Sequence, residues 1–285
     1  MQALENLTPE RDIAVLKLGS STLLNEDGVG LDYEAVEVCA DQIEIVNEEF
    51  HPLIVHGAAV GTGKGFLRDS GEPYEHTDMQ VLASYGTPEV SIALRNALRD
   101  RGIKSGQVLA NHNQMKAGSV LMKAMLFGIR HDKNAYHINE NDQENLYGLR
   151  LLKKEEQTHV AREKAPGIDN DPMAARLTIA FIEELKRQGL SAELAVHLAI
   201  FTKIGGFVMD GEVQPEISAS NRDDIYDQCD GVGPGGSGGM RVKAEACFDA
   251  YDAGAKTVHI ASPDQSWLNV IKDKGEAGKV TKVVK

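Results

Sequence analysis

Apolar residues fall into short unbroken runs, separated by stretches in which they recur with a helical period. Ile13-Ala-Val-Leu-Lys-Leu-Gly19 reads as a buried strand ending at glycine, with a single charge inside it, Lys17. Val36, Cys39, Ala40, Ile43 and Val46 then repeat as one face of a helix over 33–49, and Pro52-Leu-Ile-Val-His-Gly57 supplies a second strand. Strand, helix, strand is the unit from which parallel sheets are built. The same alternation continues down the chain. A helix is expected over 78–100, interrupted near Gly86 and Pro88, followed by a strand from Gly106, a helix over 114–129, a strand over 135–139, a helix over 172–188 opened by Asp169, Asn170 and Asp171, and a strand from Ala195 to Thr202. Beyond it come a hairpin around Asp210-Gly211, an acidic helix, a glycine-rich loop over 231–239, a helix reaching Ala253, a strand over 257–261 and a short polar tail.

This pattern predicts an α/β fold: a mostly parallel central sheet covered by helices on both faces, a three-layer αβα sandwich with binding loops at the carboxyl ends of the strands. The 285 residues, 42% of them hydrophobic, suffice for one large domain, with a soft division in the charged stretch 153–166 into lobes 1–165 and 166–285. A formal charge of −13, from 43 acidic against 30 basic residues, opposes nucleic acid and anionic membranes. Cys39, Cys229 and Cys247 have no paired spacing, which argues against disulfides and thiolate metal sites and for a reducing, cytoplasmic compartment. Neither an export signal nor a membrane span is expected.

Glycine and short polar side chains concentrate in four segments at predicted strand ends: 17–21, 56–65, 139–142 and 231–243. Glycine lets main-chain amides approach phosphate oxygens, and a following helix start adds a favourable partial charge, so Gly235-Gly-Ser-Gly-Gly-Met240 is a candidate phosphate cradle. Two nucleotide motifs fail on inspection. Gly231-Val-Gly-Pro-Gly-Gly236 fits the dinucleotide spacing but follows no hydrophobic strand, and the run to Gly63-Lys64 is one residue too long for a Walker loop and has Gly65 where magnesium would need a hydroxyl. Lys17 is a poor core residue, because an unpaired buried ammonium costs several kcal/mol. Among nine histidines no pair has catalytic zinc spacing, so histidines are read as structural, with His56 held open as a group able to bond a phosphate or carboxylate.

Taken in order, four motifs resemble the amino-acid kinase family, and within it the glutamate 5-kinases: Lys17-Leu-Gly-Ser-Ser21, Ile138-Asn-Glu-Asn-Asp142, Gly167-Ile-Asp-Asn-Asp171 and Ser237-Gly-Gly-Met-Arg-Val-Lys243. The resemblance implies ATP with Mg2+, a small acidic acceptor, a homo-oligomer (dimer or tetramer), and no membrane or nucleic-acid partner. It implies that Lys17 and Lys243 flank the transferring phosphoryl group, with Asp171 orienting them, although Arg241 could take the place of Lys243. Gly19, Ser20, Thr202, Lys203, Ser237, Gly238, Gly239 and Met240 would meet the nucleotide. Asp142, Asn170 and the main-chain N–H groups of Gly57 and Ala58 would meet the acceptor. Such a reaction needs no covalent enzyme intermediate, only two anions held in line and the charge between them neutralised. The family's Thr-Ser-Gly-Ala after the second strand is His56-Gly-Ala-Ala59 here, so glycine stands where a serine would touch the acceptor. Pro166 replaces the lysine before the Gly-Asp-Asn-Asp element, and Thr202-Lys203 replaces Thr-Asp. The chain is expected to stop short of the RNA-binding-like domain carried by many glutamate 5-kinases. A nucleotide-binding regulator that kept the fold, and a kinase of another small acid or of a phosphate monoester, are the alternative expectations.

Overall fold

A computed structural model of the chain describes residues 11–111, 114–132, 135–140, 170–209, 211–229 and 239–285. An eight-stranded sheet runs through it in the order β3-β4-β2-β1-β5-β9-β10-β8. Its strands are β1 (Ile13–Leu18), β2 (His51–His56), β3 (Ser105–Ala110), β4 (Ala135–Glu140), β5 (Val196–Phe201), β8 (Glu216–Ser218), β9 (Val258–Ala261) and β10 (Val280–Val284). Every pairing is parallel except β9 with β10. A small hairpin, β6 (Phe207–Met209) with β7 (Glu212–Gln214), forms where the Asp210-Gly211 turn signal predicts it.

β1 lies between β2 and β5, all six of its residues in register with both. Its alternation splits the core. Ile13 and Val15 join the cluster under α6 (Asn170–Arg187) and α8 (Met240–Ala253), while Ala14, Leu16 and Leu18 join the cluster under α2 (Tyr33–Glu49) and α4 (Met79–Asp100). Lys17 therefore shares the α6/α8 side, because side chains two apart on a strand share a face. α2 follows its periodicity: the five predicted positions are the buried ones, and Asp32 caps the helix by accepting a bond from Ala35 N–H at 3.0 Å.

Four expectations need correction. α4 is unbroken through Gly86 and Pro88. Glycine there is a contact requirement rather than a break, since a Cβ on Gly86 would stand 1.9 Å from Ala59 O and one on Gly63 1.9 Å from Leu82 O. These glycines belong to the crossing of α4 with α3 (Ala59–Asp69), so 59–65 is helix and only Gly57 and Ala58 remain loop. The helix expected from Gln114 begins later, as α5 (Val120–Asp132). The polar tail holds α9 (Trp267–Ile271), whose fully buried Trp267 stacks on Phe201 at 4.1 Å, and the strand β10. The glycine loop over 231–238 and the division at 153–166 lie outside the described residues.

His56 and His137 sit on neighbouring strands with ring centroids 6.2 Å apart. Burial depresses both, His56 to about 4, and His137 to about 3 with help from the nearby positive charge of Arg95 and from His56. His197 and His259 are lowered for the same first reason, burial. The unfolded chain takes up these protons near pH 6.5 and the native one does not. The stability that His56 and His137 lend is therefore complete above about pH 6.5 and is lost as pH falls towards 4, by up to about 1.4 kcal/mol per pH unit for each. Urea unfolding between pH 4.5 and 7.5 should show this slope, and His137→Leu should flatten it by close to one proton.

Candidate active site

From β1 the chain passes to β2 on one side, and from β5 to strands on the other, first β8 at the far edge and then β9 beside β5. The carboxyl ends of β1 and β5 therefore form a topological switch point, where open α/β sheets place their ligands. Lys17 is the penultimate residue of β1 and its side chain is only 5% exposed. Its ammonium meets Asp171, in the first turn of α6, a position where a carboxylate also suits the helix dipole. Lys243, in the first turn of α8, reaches the other oxygen of Asp171 at 2.9 Å and keeps 17% of its side chain exposed. One fully buried carboxylate thus holds two ammonium groups arriving from opposite ends of the sequence. Burial alone would raise the Asp171 acid, but Lys17 and Lys243 outweigh it and hold the group below its usual range.

Arg241 does not share this site. It pairs with Glu245 at 3.0 Å and lies over the Tyr226 ring at 5.2 Å, so of the two basic residues it is Lys243 that is brought to Asp171. Gly19 closes the end of β1: its N–H donates to Phe201 O, and a Cβ there would come within 3.3 Å of that oxygen. Gly239 stands at the start of α8 with no side-chain cap, and Met240 is the first residue of that helix. Thr202 is buried at the end of β5, its N–H bonded to Ala261 O at 2.9 Å, whereas Lys203 is exposed. Asn170 opens α6 next to Asp171. Asp142, Ser237 and Gly238 lie outside the described residues.

The loop at Gly57 and Ala58, expected to meet the acceptor, departs from that expectation. Gly57 N–H bonds to Leu18 O at 3.1 Å and Ala58 N–H to Ser20 Oγ at 3.1 Å, so neither amide is left for a ligand. The first intrahelical bond of α3 is Thr62 N–H to Ala58 O, which leaves the amides of Ala59, Val60 and Gly61 outside the ladder. His56 is entirely buried, its Nδ1 3.2 Å from Gly57 O, which makes it a packing residue and not an exposed ligand. Asn139 was missed as a positioning residue: its amide donates to His56 O at 2.8 Å and ties the ends of β2 and β4 together. Its place inside the Asn-Glu-Asn-Asp motif was the available signal.

The model of the amino acid kinase family matches residues 12–185. The chain belongs to the amino acid kinase family. It is 27% identical over 252 residues to the glutamate 5-kinase of Marinomonas sp. (strain MWYL1), covering 86% of this chain and 60% of that protein. To the glutamate 5-kinase of Pseudomonas putida (strain W619) it is 29% identical over 272 residues, covering 90% and 64%. It thus spans less than two thirds of the length of these curated relatives. The fold matches that of carbamate kinase from Giardia lamblia bound to AMP-PNP, with a TM-score of 0.61 at 14% identity, over 97% of this chain and all of that one. In this member of the amino acid kinase family the described residues include no group of three or more His, Cys, Asp or Glu side chains placed to hold a metal ion, and no helix among them is long and apolar enough to cross a membrane.

Proposed function

We propose that the chain is an ATP-dependent kinase moving the γ-phosphoryl group onto the side-chain carboxylate of a small acidic amino acid, with L-glutamate the leading acceptor. The observation that carries this reading is the buried Lys17–Asp171–Lys243 cluster at the switch point of the sheet. Two cations on one carboxylate keep a net positive charge, which suits a phosphoryl group carrying negative charge on its oxygens. Lys17 neutralises it from the acceptor side and Lys243 from the nucleotide side, while Asp171 fixes both ammonium groups and lowers the reorganisation needed as charge shifts. Gly19 and Gly239 let main chain approach the phosphates, Thr202 and Lys203 flank the base, and Asn170 with Asp142 holds the acceptor. Mg2+ would come with ATP and bridge its phosphate oxygens. The 1–165 half serves the acceptor and the 166–285 half the nucleotide, in keeping with the two halves of the sheet.

The glycine at position 57 favours one second reading, a kinase of the same fold for another small acid or a phosphate monoester. Release of ADP from Mg-ATP, measured with glutamate, aspartate, acetylglutamate, carbamate and isopentenyl phosphate and with hydroxylamine to trap acyl phosphates, separates them. Glutamate-dependent hydroxamate is the expected result. Release with a different acceptor would move the substrate, and binding of ATP with no release for any acceptor would favour a regulatory nucleotide-binding protein.

A homo-oligomer is supported by the outer face of α4, where Val81, Tyr85 and Ile92 are exposed and Tyr85 stacks on Phe66 at 5.3 Å. Arg95 and Arg99 continue this exposed stripe. Antiparallel pairing with α4 of a second copy, about an axis near residue 90, would set the Arg95 guanidinium on the other copy's Tyr85 ring. Ile92→Glu is expected to shift the sedimentation coefficient to that of a smaller species, and an unchanged value would remove α4 from the interface.

A further inference from the structure

The loop that departs most from the family pattern is also the one whose geometry is least expected. Ala58 has φ +77° and ψ −12°, a left-handed conformation that disfavours any residue with a Cβ, and it stands where the family's Thr-Ser-Gly-Ala has glycine. The Ser20 hydroxyl stabilises this conformation by accepting the Ala58 N–H at 3.1 Å. Ser20 also fills the space beside Gly57. A Cβ added at Gly57 would stand 2.7 Å from Ser20 Oγ and 3.3 Å from Ser20 N. A serine at 57 and the present Ser20 rotamer are therefore mutually exclusive, and the oxygen found beside Gly57 is that of Ser20.

Resting on the kinase reading above, we infer that Ser20 supplies the acceptor-side hydroxyl whose usual carrier, a serine at 57, this chain lacks, and that Ser20, Gly57 and Ala58 form one matched unit that sets acceptor preference. The chemistry is that of a single hydroxyl. Its oxygen is engaged by Ala58 N–H, and its one proton is left to donate to a carboxylate or phosphate oxygen of the acceptor. Ser20 is exposed at the mouth of the site, three residues from Lys17, so a carboxylate bonded to it would lie on the acceptor side of that ammonium. This moves Ser20 from the nucleotide, where the motif alone would put it, to the acceptor.

The test is a double-substitution cycle on the intact chain, with Ser20→Ala, Gly57→Ser and the two combined, reading KM for each substrate and the melting temperature. A hydrogen bond to a charged group supports an expected rise in acceptor KM of about tenfold or more for Ser20→Ala, with the KM for ATP within about twofold and Ser20→Thr close to the unsubstituted protein. Gly57→Ser should lower the melting temperature in the presence of Ser20 and spare it in the Ser20→Ala background, where the combined variant should regain acceptor KM. A rise in the KM for ATP with no change for the acceptor would return Ser20 to the nucleotide and overturn the inference while the kinase reading stands. A combined variant no better than the worse single one would overturn it also. Absence of any turnover in the unsubstituted protein would sink the kinase reading, and the acceptor role of Ser20 with it, whereas the melting temperatures would still report the steric pairing alone.

Discussion

Lys17→Ala is expected to lower kcat by about a hundredfold to a thousandfold while the chain stays folded, because it removes one preorganised charge from the developing transition state. The loss should fall on kcat more than on the KM for either substrate. An interaction that strengthens only as the phosphoryl group leaves ATP lowers kcat and kcat/KM together. Folding survives because Asp171 keeps Lys243 at 2.9 Å, so the buried carboxylate is not left without a counter-charge. Asp171→Ala should behave differently. It leaves the nearly buried Lys17 ammonium without its partner, which costs on the order of 3–5 kcal/mol, and thermal unfolding should report a large fall. A Lys17→Ala protein with near-normal kcat would remove Lys17 from the chemistry.

The second large effect lies in packing. Gly86→Val and Gly63→Ala are each expected to destabilise the chain by about 3 kcal/mol or more, or to prevent folding. At both positions a Cβ would stand 1.9 Å from a main-chain carbonyl of the facing helix, a clash that rotamer changes cannot relieve. α3 and α4 would have to separate, and α3 begins at Ala59, directly after the acceptor loop. Partly folded variants should therefore also lose acceptor affinity before nucleotide affinity. Ser84→Ala, on α4 but with its hydroxyl at the surface, should change the urea midpoint little. Full stability in either glycine variant would show that the two helices can sit farther apart than they do here.

Much of the sheet was legible because strands buried on both faces are written as continuous apolar runs, and β1, β2 and β5 are of that kind. Helices with one buried stripe, such as α2, were equally plain. Glycine was the weak point: the same residue marks a phosphate loop, a turn or a tight helix crossing. Only three-dimensional proximity shows that Gly63 and Gly86 serve the crossing. β10 was hidden because a strand near the sheet edge buries alternate residues only, here Thr281 and Val283, and because it follows the charged stretch 272–279. At the site, Lys17 stood out as a charge inside an apolar strand, and Asp171 and Lys243 came through the family motifs. The bond from Ala58 to Ser20 was not readable, since it depends on a left-handed residue that sequence assigns to glycine.

The central claim is that a carboxylate oxygen of the acceptor attacks the γ-phosphorus. It is tested most directly by supplying glutamate labelled with 18O in its side-chain carboxylate, together with Mg-ATP and hydroxylamine, and weighing the phosphate released. Attack by the carboxylate puts its oxygen into the acyl phosphate, and cleavage of the carbon–oxygen bond by the trap carries that oxygen away. The account predicts one 18O atom in each phosphate formed, in step with ADP. Phosphate that carries no label from glutamate would mean that water, and not the acceptor, had attacked ATP.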